Sequence, residues 1–136
     1  MQQRRRGRKK TKGLELAVAI LGLGGCPLYN GGPHQYTEKQ LRRRYWKLWW
    51  KLRRARGVDI ILTHAPARGY GDLDDPVHRG FDFFLELMDK LQPSYLIHGH
   101  VHPSYKIRNR GDLQYGNTTI INACGYRILE IPDPPQ

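Results

Sequence analysis

The sequence predicts an α/β fold: a mixed sheet with flanking helices. Three observations predict it. Val58-Asp59-Ile60-Ile61-Leu62-Thr63 is a short run rich in branched aliphatic residues that ends in His64. Phe81, Phe84, Leu85, Met88 and Leu91 recur at helical spacing. Tyr95-Leu96-Ile97 is a second apolar strand, running into His98-Gly99-His100-Val101-His102. Strand, helix, strand is a βαβ unit, and its strands are usually parallel neighbours. The later segment Pro103–Asn122 reads as hairpin material, which adds antiparallel pairing to the sheet.

The elements follow in order. Met1–Gly13 has seven basic residues and no apolar periodicity, so it is expected to be a disordered basic tail. Leu14–Leu23 is a candidate buried strand, and the Gly-rich stretch Gly24–Pro33 a loop. Thr37 can cap a helix that runs to about Arg54, with Gln40 at the capping-box position. Leu41, Tyr45, Leu48, Trp49 and Leu52 make its apolar stripe. Trp46 and Trp50 lie beside the stripe, and eight Lys or Arg fill most of the rest. After the strand at 58–63, Ala65–Val77 is a loop, and Asp75-Pro76 or His78 begins the helix that reaches Leu91 before Pro93. Asn109-Arg110-Gly111-Asp112 is a turn, Thr118–Ile121 a strand and Tyr126–Ile131 a last strand. Pro132–Gln136 is a proline-rich tail, which leaves residues 14–131 as one domain.

Charge divides the chain. Residues 1–56 hold 16 of the 23 Lys and Arg against Glu15 and Glu38, a net of +14 within the total of +11. A solvated tail and a charged helix face account for most of this. Basic residues interleaved with Trp46, Trp49 and Trp50 also suit nucleic acid, through phosphate contact and stacking. Cys26 and Cys124 are too few for a disulfide framework or a Cys-rich zinc site, and a reducing, cytoplasmic setting is expected. No apolar run is long enough to span a membrane. Arg4–Lys12 followed by Leu16–Leu23 and Cys26 imitates a lipoprotein signal. Glu15 at the entry and the glycines at the far end favour a buried strand leaving into a turn.

The chemistry-bearing residues are histidines. Parallel neighbours would bring His64 and the His100/His102 pair to the carboxyl edge of the sheet, where open α/β sheets bind ligands. His100 and His102, two apart, share a side if the backbone is extended, and Gly99 allows a tight turn beside an ion. Metal ligation by His64, His100 and His102 is therefore expected. His98 is read as a packed strand-end residue, with a fourth ligand or a supporting partner as the alternative. His34 and His78 are read as surface or capping residues.

At this point the sequence resembles the calcineurin-like metallophosphoesterases. The resemblance rests on Asp59-Ile60-Ile61-Leu62-Thr63-His64-Ala65-Pro66, His78-Arg79-Gly80, Gly99-His100-Val101-His102 and Gly116-Asn117-Thr118-Thr119-Ile120-Ile121-Asn122-Ala123. The Gly24–Gly32 loop and the basic helix after it are similar to bacterial and phage members. The resemblance implies two mixed sheets between helices, and two divalent metal ions (Mn, Fe, Zn or Ni) bridged by a carboxylate and an attacking hydroxide. It implies that His64 and His100 bind one metal and His102 the other. The family's Asp-x-His, Gly-Asp-x-x-Asp and Gly-Asn-His-Asp/Glu motifs do not occur upstream of His64. Gly71-Asp72-Leu73-Asp74-Asp75 spells the second of these, but after His64, and a structural role for it is favoured. The chain thus looks like the C-terminal half of a two-half site, with no catalytic acid–base residue assigned.

The function expected is hydrolysis of a phosphomonoester or phosphodiester by an incomplete dimetal centre. Two alternatives stand beside it. One is a non-catalytic basic module that binds nucleic acid on the same scaffold. The other is a half-domain that self-associates or takes a partner chain, since half a sandwich exposes sheet edges.

Overall fold

The computed structural model describes residues 18–55, 57–102 and 111–131. The expected basic tail, the first part of the strand predicted from Leu14, the beginning of the turn at Asn109 and the proline-rich exit lie outside the described residues.

Among the described residues nine elements follow one another. They are β1 (Ile20–Leu23), β2 (Cys26–Pro27), β3 (Gln35–Tyr36), α1 (Glu38–Ala55), β4 (Ile60–Thr63), α2 (Phe83–Leu91), β5 (Tyr95–His98), β6 (Leu113–Tyr115) and β7 (Thr118–Asn122). Five strands form one sheet in the order β1-β4-β5-β7-β6. β1, β4, β5 and β7 are parallel, and β6 closes one edge antiparallel to β7, so the sheet is mixed as expected. The predicted βαβ unit is β4–α2–β5, with Ile61 level with Leu96. Both strands therefore end on the same edge of the sheet.

Local chemistry explains the two helices. The Thr37 hydroxyl accepts from the Gln40 N–H at 3.2 Å, and the Gln40 side-chain oxygen accepts from the Thr37 N–H at 2.8 Å. This is the reciprocal capping box. Arg53 and Arg54 in the last turn of α1 face its negative dipole end. α2 lacks a side-chain cap of its own. Glu38 of α1 supplies one instead, accepting from the Asp82 and Phe83 N–H groups at 2.8 and 3.0 Å. Gln92, left-handed at φ 48°, ends α2 by donating its N–H to the Met88 carbonyl, and Pro93 cannot continue the helix.

The core lies between the helices and one face of the sheet. Leu21, Leu23, Ile61, Leu96 and Ile120 meet Leu41, Tyr45, Phe84, Leu87 and Met88. Full burial of a side chain such as Phe84 contributes about 1.5–3 kcal/mol. α1 keeps its predicted stripe only in part. Leu41 and Tyr45 are buried and Leu48 and Leu52 half-buried, whereas Trp46, Trp49 and Trp50 stay in solvent.

Three expectations are corrected. The second helix starts at Phe83, not at Asp75–His78. Asp75 caps only a single turn, and the chain after it is pinned against Ala67 by Phe81 N–H to Pro66 O and Arg68 N–H to Phe81 O. Gly80 makes this approach feasible, because a Cβ there would lie 2.5 Å from the Ala67 carbonyl carbon. Tyr126–Ile131 is not a strand: Tyr126 and Ile128 are exposed, so the segment has no buried face to hold it on the sheet. The loop at 24–33 contains a short strand, β2, paired in parallel with β3. The hairpin turn between β6 and β7 is Gly116-Asn117.

Candidate metal centre

His64 follows β4 and His100 follows β5 at the shared carboxyl edge. The Gly99 N–H donates to the His64 carbonyl at 3.0 Å, which ties the two strand ends together. Beyond Gly99 the chain does not remain extended. His100 adopts φ 67°, a left-handed conformation that histidine reaches more readily than most residues, and Val101 N–H closes onto Gly99 O at 2.8 Å. Asn122, level with His98 on β7, holds this turn by donating to the Val101 carbonyl at 2.7 Å.

The turn brings two imidazoles together. His64 Nε2 lies 2.9 Å from His100 Nδ1, with ring centroids 4.6 Å apart. On its far side His100 Nε2 is 2.7 Å from the Val77 carbonyl, which can only accept. That ring nitrogen therefore carries a proton, and Nδ1 faces His64 Nε2. A carbonyl that fixes the tautomer in this way is the usual support for a metal-ligating histidine. Burial, then the proximity of His100, lowers the pKa of His64 and favours its neutral form.

The loop after β4 positions Val77. Asp72 accepts from Arg68 Nη1, Gly80 N–H and Gly69 N–H, each at 2.9 Å. Its carboxylate is thus occupied in folding the loop, which is the structural role favoured for Gly71–Asp75. His78 is carried to the centre by the same loop. Its ring lies 5.2 Å from that of His100, and its Nδ1 is 2.9 Å from the Asp75 carboxylate. Sequence reasoning placed His78 only as a surface or capping residue. The available signal was its place in His78-Arg79-Gly80, just ahead of the close approach at Gly80.

His98 is packed, as favoured. It is buried, its Nδ1–H donates to Gly99 O at 3.1 Å, and burial lowers its pKa. Gly71, at φ 81°, passes over the ring, where a Cβ would sit 3.3 Å from Nε2. His102 lies past the turn and is exposed. The extended backbone expected between His100 and His102 is replaced by a left-handed His100. Among the described residues no three His, Cys, Asp or Glu side chains are gathered as a metal-binding group. The facing ring nitrogens of His64 and His100 are brought to 2.9 Å. A divalent ion with metal–nitrogen bonds of about 2.0–2.1 Å needs two ligands roughly 3 Å apart when they meet at a right angle, a separation that the hydrogen-bonded pair matches. His34 is exposed in the β2–β3 connection.

A mixed sheet with helices packed on it makes this an α/β domain, with imidazoles at the carboxyl ends of its parallel strands. The comparisons narrow this class. The family model for calcineurin-like phosphoesterases matches residues 8–104, and the chain belongs to that family. It is 33% identical over 102 residues to UPF0046 protein K07C11.7 of Caenorhabditis elegans, covering 75% of this chain and 30% of that relative. It is 29% identical over 85 residues to UPF0046 protein C25E10.12 of the same organism, covering 57% of this chain and 28% of the relative. UPF0046 protein T07D4.2, also from that organism, is 34% identical over 70 residues, covering 50% of this chain and 16% of the relative. The chain thus spans at most 30% of the length of these relatives. No solved structure gives a significant match. Among the described residues no helix is long and apolar enough to cross a membrane.

Proposed function

We propose that this domain contributes the histidine side of a metal-dependent phosphoesterase centre that hydrolyses a phosphomonoester or phosphodiester. The observation that carries the reading is the His64–His100 pair, with ring nitrogens 2.9 Å apart and the tautomer of His100 set by Val77 O. His64 and His100 would hold a divalent ion such as Mn, Fe, Zn or Ni, and the exposed His102 is the candidate for a further ligand. A bound ion of this kind supplies Lewis-acid stabilisation of charge on a phosphoryl oxygen. The chain's own part is to present neutral imidazoles, which bind a cation without cancelling its charge. The Asp72-folded loop keeps His100 from turning away, and His78 with Asp75 lines the same edge. No carboxylate joins His64 and His100 among the described residues, so the chain alone is expected to bind metal weakly and turn over slowly.

The test compares the full chain with His100→Ala in hydrolysis of bis-p-nitrophenyl phosphate with added Mn²⁺, alongside calorimetric Mn²⁺ binding. Wild type should show Mn²⁺-dependent turnover, and His100→Ala should lose affinity for Mn²⁺ by more than about tenfold. Equal rates and equal Mn²⁺ affinity in the two proteins would remove the proposal.

A further inference from the structure

We infer that the outward face of α1 is a docking surface for single-stranded nucleic acid. The helix turns Leu41 and Tyr45 into the core and leaves three indoles in solvent: Trp46, Trp49 and Trp50 are 51%, 38% and 50% exposed. Trp46 and Trp49 lie with ring centroids 6.1 Å apart. Each indole has a cation at its ring. Lys90 of α2 is 4.6 Å from the Trp46 centroid, Arg53 4.8 Å from that of Trp49 and Arg54 5.1 Å from that of Trp50. The only acidic residue of α1, Glu38, is engaged at the start of α2. Among the described residues Arg42 pairs with Glu86, and the other seven Lys and Arg of the helix have no carboxylate partner.

Two chemistries could use a surface of tryptophan and arginine, and the arrangement favours one. A helix lying in a membrane interface needs a continuous apolar arc turned outward. Here Leu41, Leu48 and Leu52 turn toward the protein, and burying the indoles in lipid would bury Arg53 and Arg54 with them. A single nucleic-acid strand offers the complementary pattern, with bases to stack on rings and a phosphate after every base to meet a cation. The inference concerns a surface separate from His64 and His100, so binding is measured in EDTA, where failure of the metal proposal has no bearing on it.

The experiment measures fluorescence anisotropy of a labelled oligothymidylate of about 15 nucleotides with the full chain. Three proteins are compared: wild type, the triple variant Trp46→Ala/Trp49→Ala/Trp50→Ala, and Arg53→Gln/Arg54→Gln. Folding of each is checked by circular dichroism. Wild type should bind, and binding should weaken steeply between about 50 and 200 mM salt. The triple variant keeps every charge, the N-terminal basic residues included, yet should bind at least about tenfold more weakly. The arginine variant should reduce the salt slope by about 1.4, the value for two phosphate contacts on a single strand. It also serves as the test if the triple variant does not fold. Absence of binding by wild type, or equal binding by wild type and both variants, would overturn the inference. So would equally strong binding to phosphatidylserine–phosphatidylcholine vesicles that the tryptophan substitutions abolish.

Discussion

The two faces of the five-stranded sheet use similar aliphatic residues to different ends. On the helix side, Leu21, Ile61, Leu96 and Ile120 stand level with one another and are buried under α1 and α2. On the opposite side, Ile20 and Leu62 are 59% and 47% exposed, while Ile60 and Ile121 are buried. Strand propensity is the same on both faces, so it does not decide which residues hold the fold. What decides is whether another element lies on top. The helix side also carries the determinants of the candidate centre, because His98 alternates with Leu96 on that face and α2 begins where the loop of Asp72 ends. The helix side therefore carries most of the core, and Ile60 and Ile121 bury a smaller part of the opposite face.

The strongest test of this asymmetry is Phe84→Ala. Phe84 is fully buried between α2 and the sheet, and its ring meets that of Phe81 edge-on with centroids 5.2 Å apart. Truncation removes the transfer free energy of the ring and leaves a cavity, at a cost of about 3–5 kcal/mol in urea unfolding. A loss below about 1 kcal/mol would mean that the helix side is not the main core.

How much of this was legible in the sequence depended on the range of the interaction. The capping box Thr37/Gln40 and the βαβ unit were readable because their signals sit within a few residues. The start of α2 was not, because it is set by Gly80 meeting the backbone of Ala67, thirteen positions away. Convergence of His64 and His100 followed from parallel strands ending together. The turn between His100 and His102 did not, because a two-residue spacing rule does not anticipate a left-handed φ at His100. Glu38 capping a helix 44 residues later has no local signature. The expected strand at 126–131 had the right composition, but Tyr126 and Ile128 are exposed and the segment pairs with no described strand.

A smaller effect on the same face is its response to pH. Burial holds the folded-state pKa of His98 below its ordinary value of 6.5, and burial acts on His64 in the same direction. Above 6.5 both residues are neutral whether the chain is folded or not, and they add no pH dependence. As pH falls through 6.5 the unfolded chain binds protons that the folded chain excludes, so stability declines. Urea midpoints measured from about pH 7.5 down to about pH 5.5 should therefore fall, within a window that lies above carboxylate titration. His98→Gln should flatten the decline. A midpoint that is level across this window in wild type would show that His98 is not kept neutral by the helix-side packing.

The smallest expected effect lies on the opposite face and gives the contrast its sharpest form. Leu62 sits in β4 between Ile61 and Thr63, both buried, yet points away from the helices and is half in solvent. Leu62→Thr keeps a residue suited to strands and removes exposed apolar area only. Its cost in urea unfolding should stay within about 0.5 kcal/mol, independent of protein concentration. A cost approaching that of Phe84→Ala would mean that this face is covered in solution. A concentration-dependent midpoint would then identify a second copy of the chain as the cover, because unfolding of an associated species depends on protomer concentration. With Phe84→Ala large and Leu62→Thr near zero, one helix residue and one strand residue would separate the covered face of the sheet from the exposed part of the other.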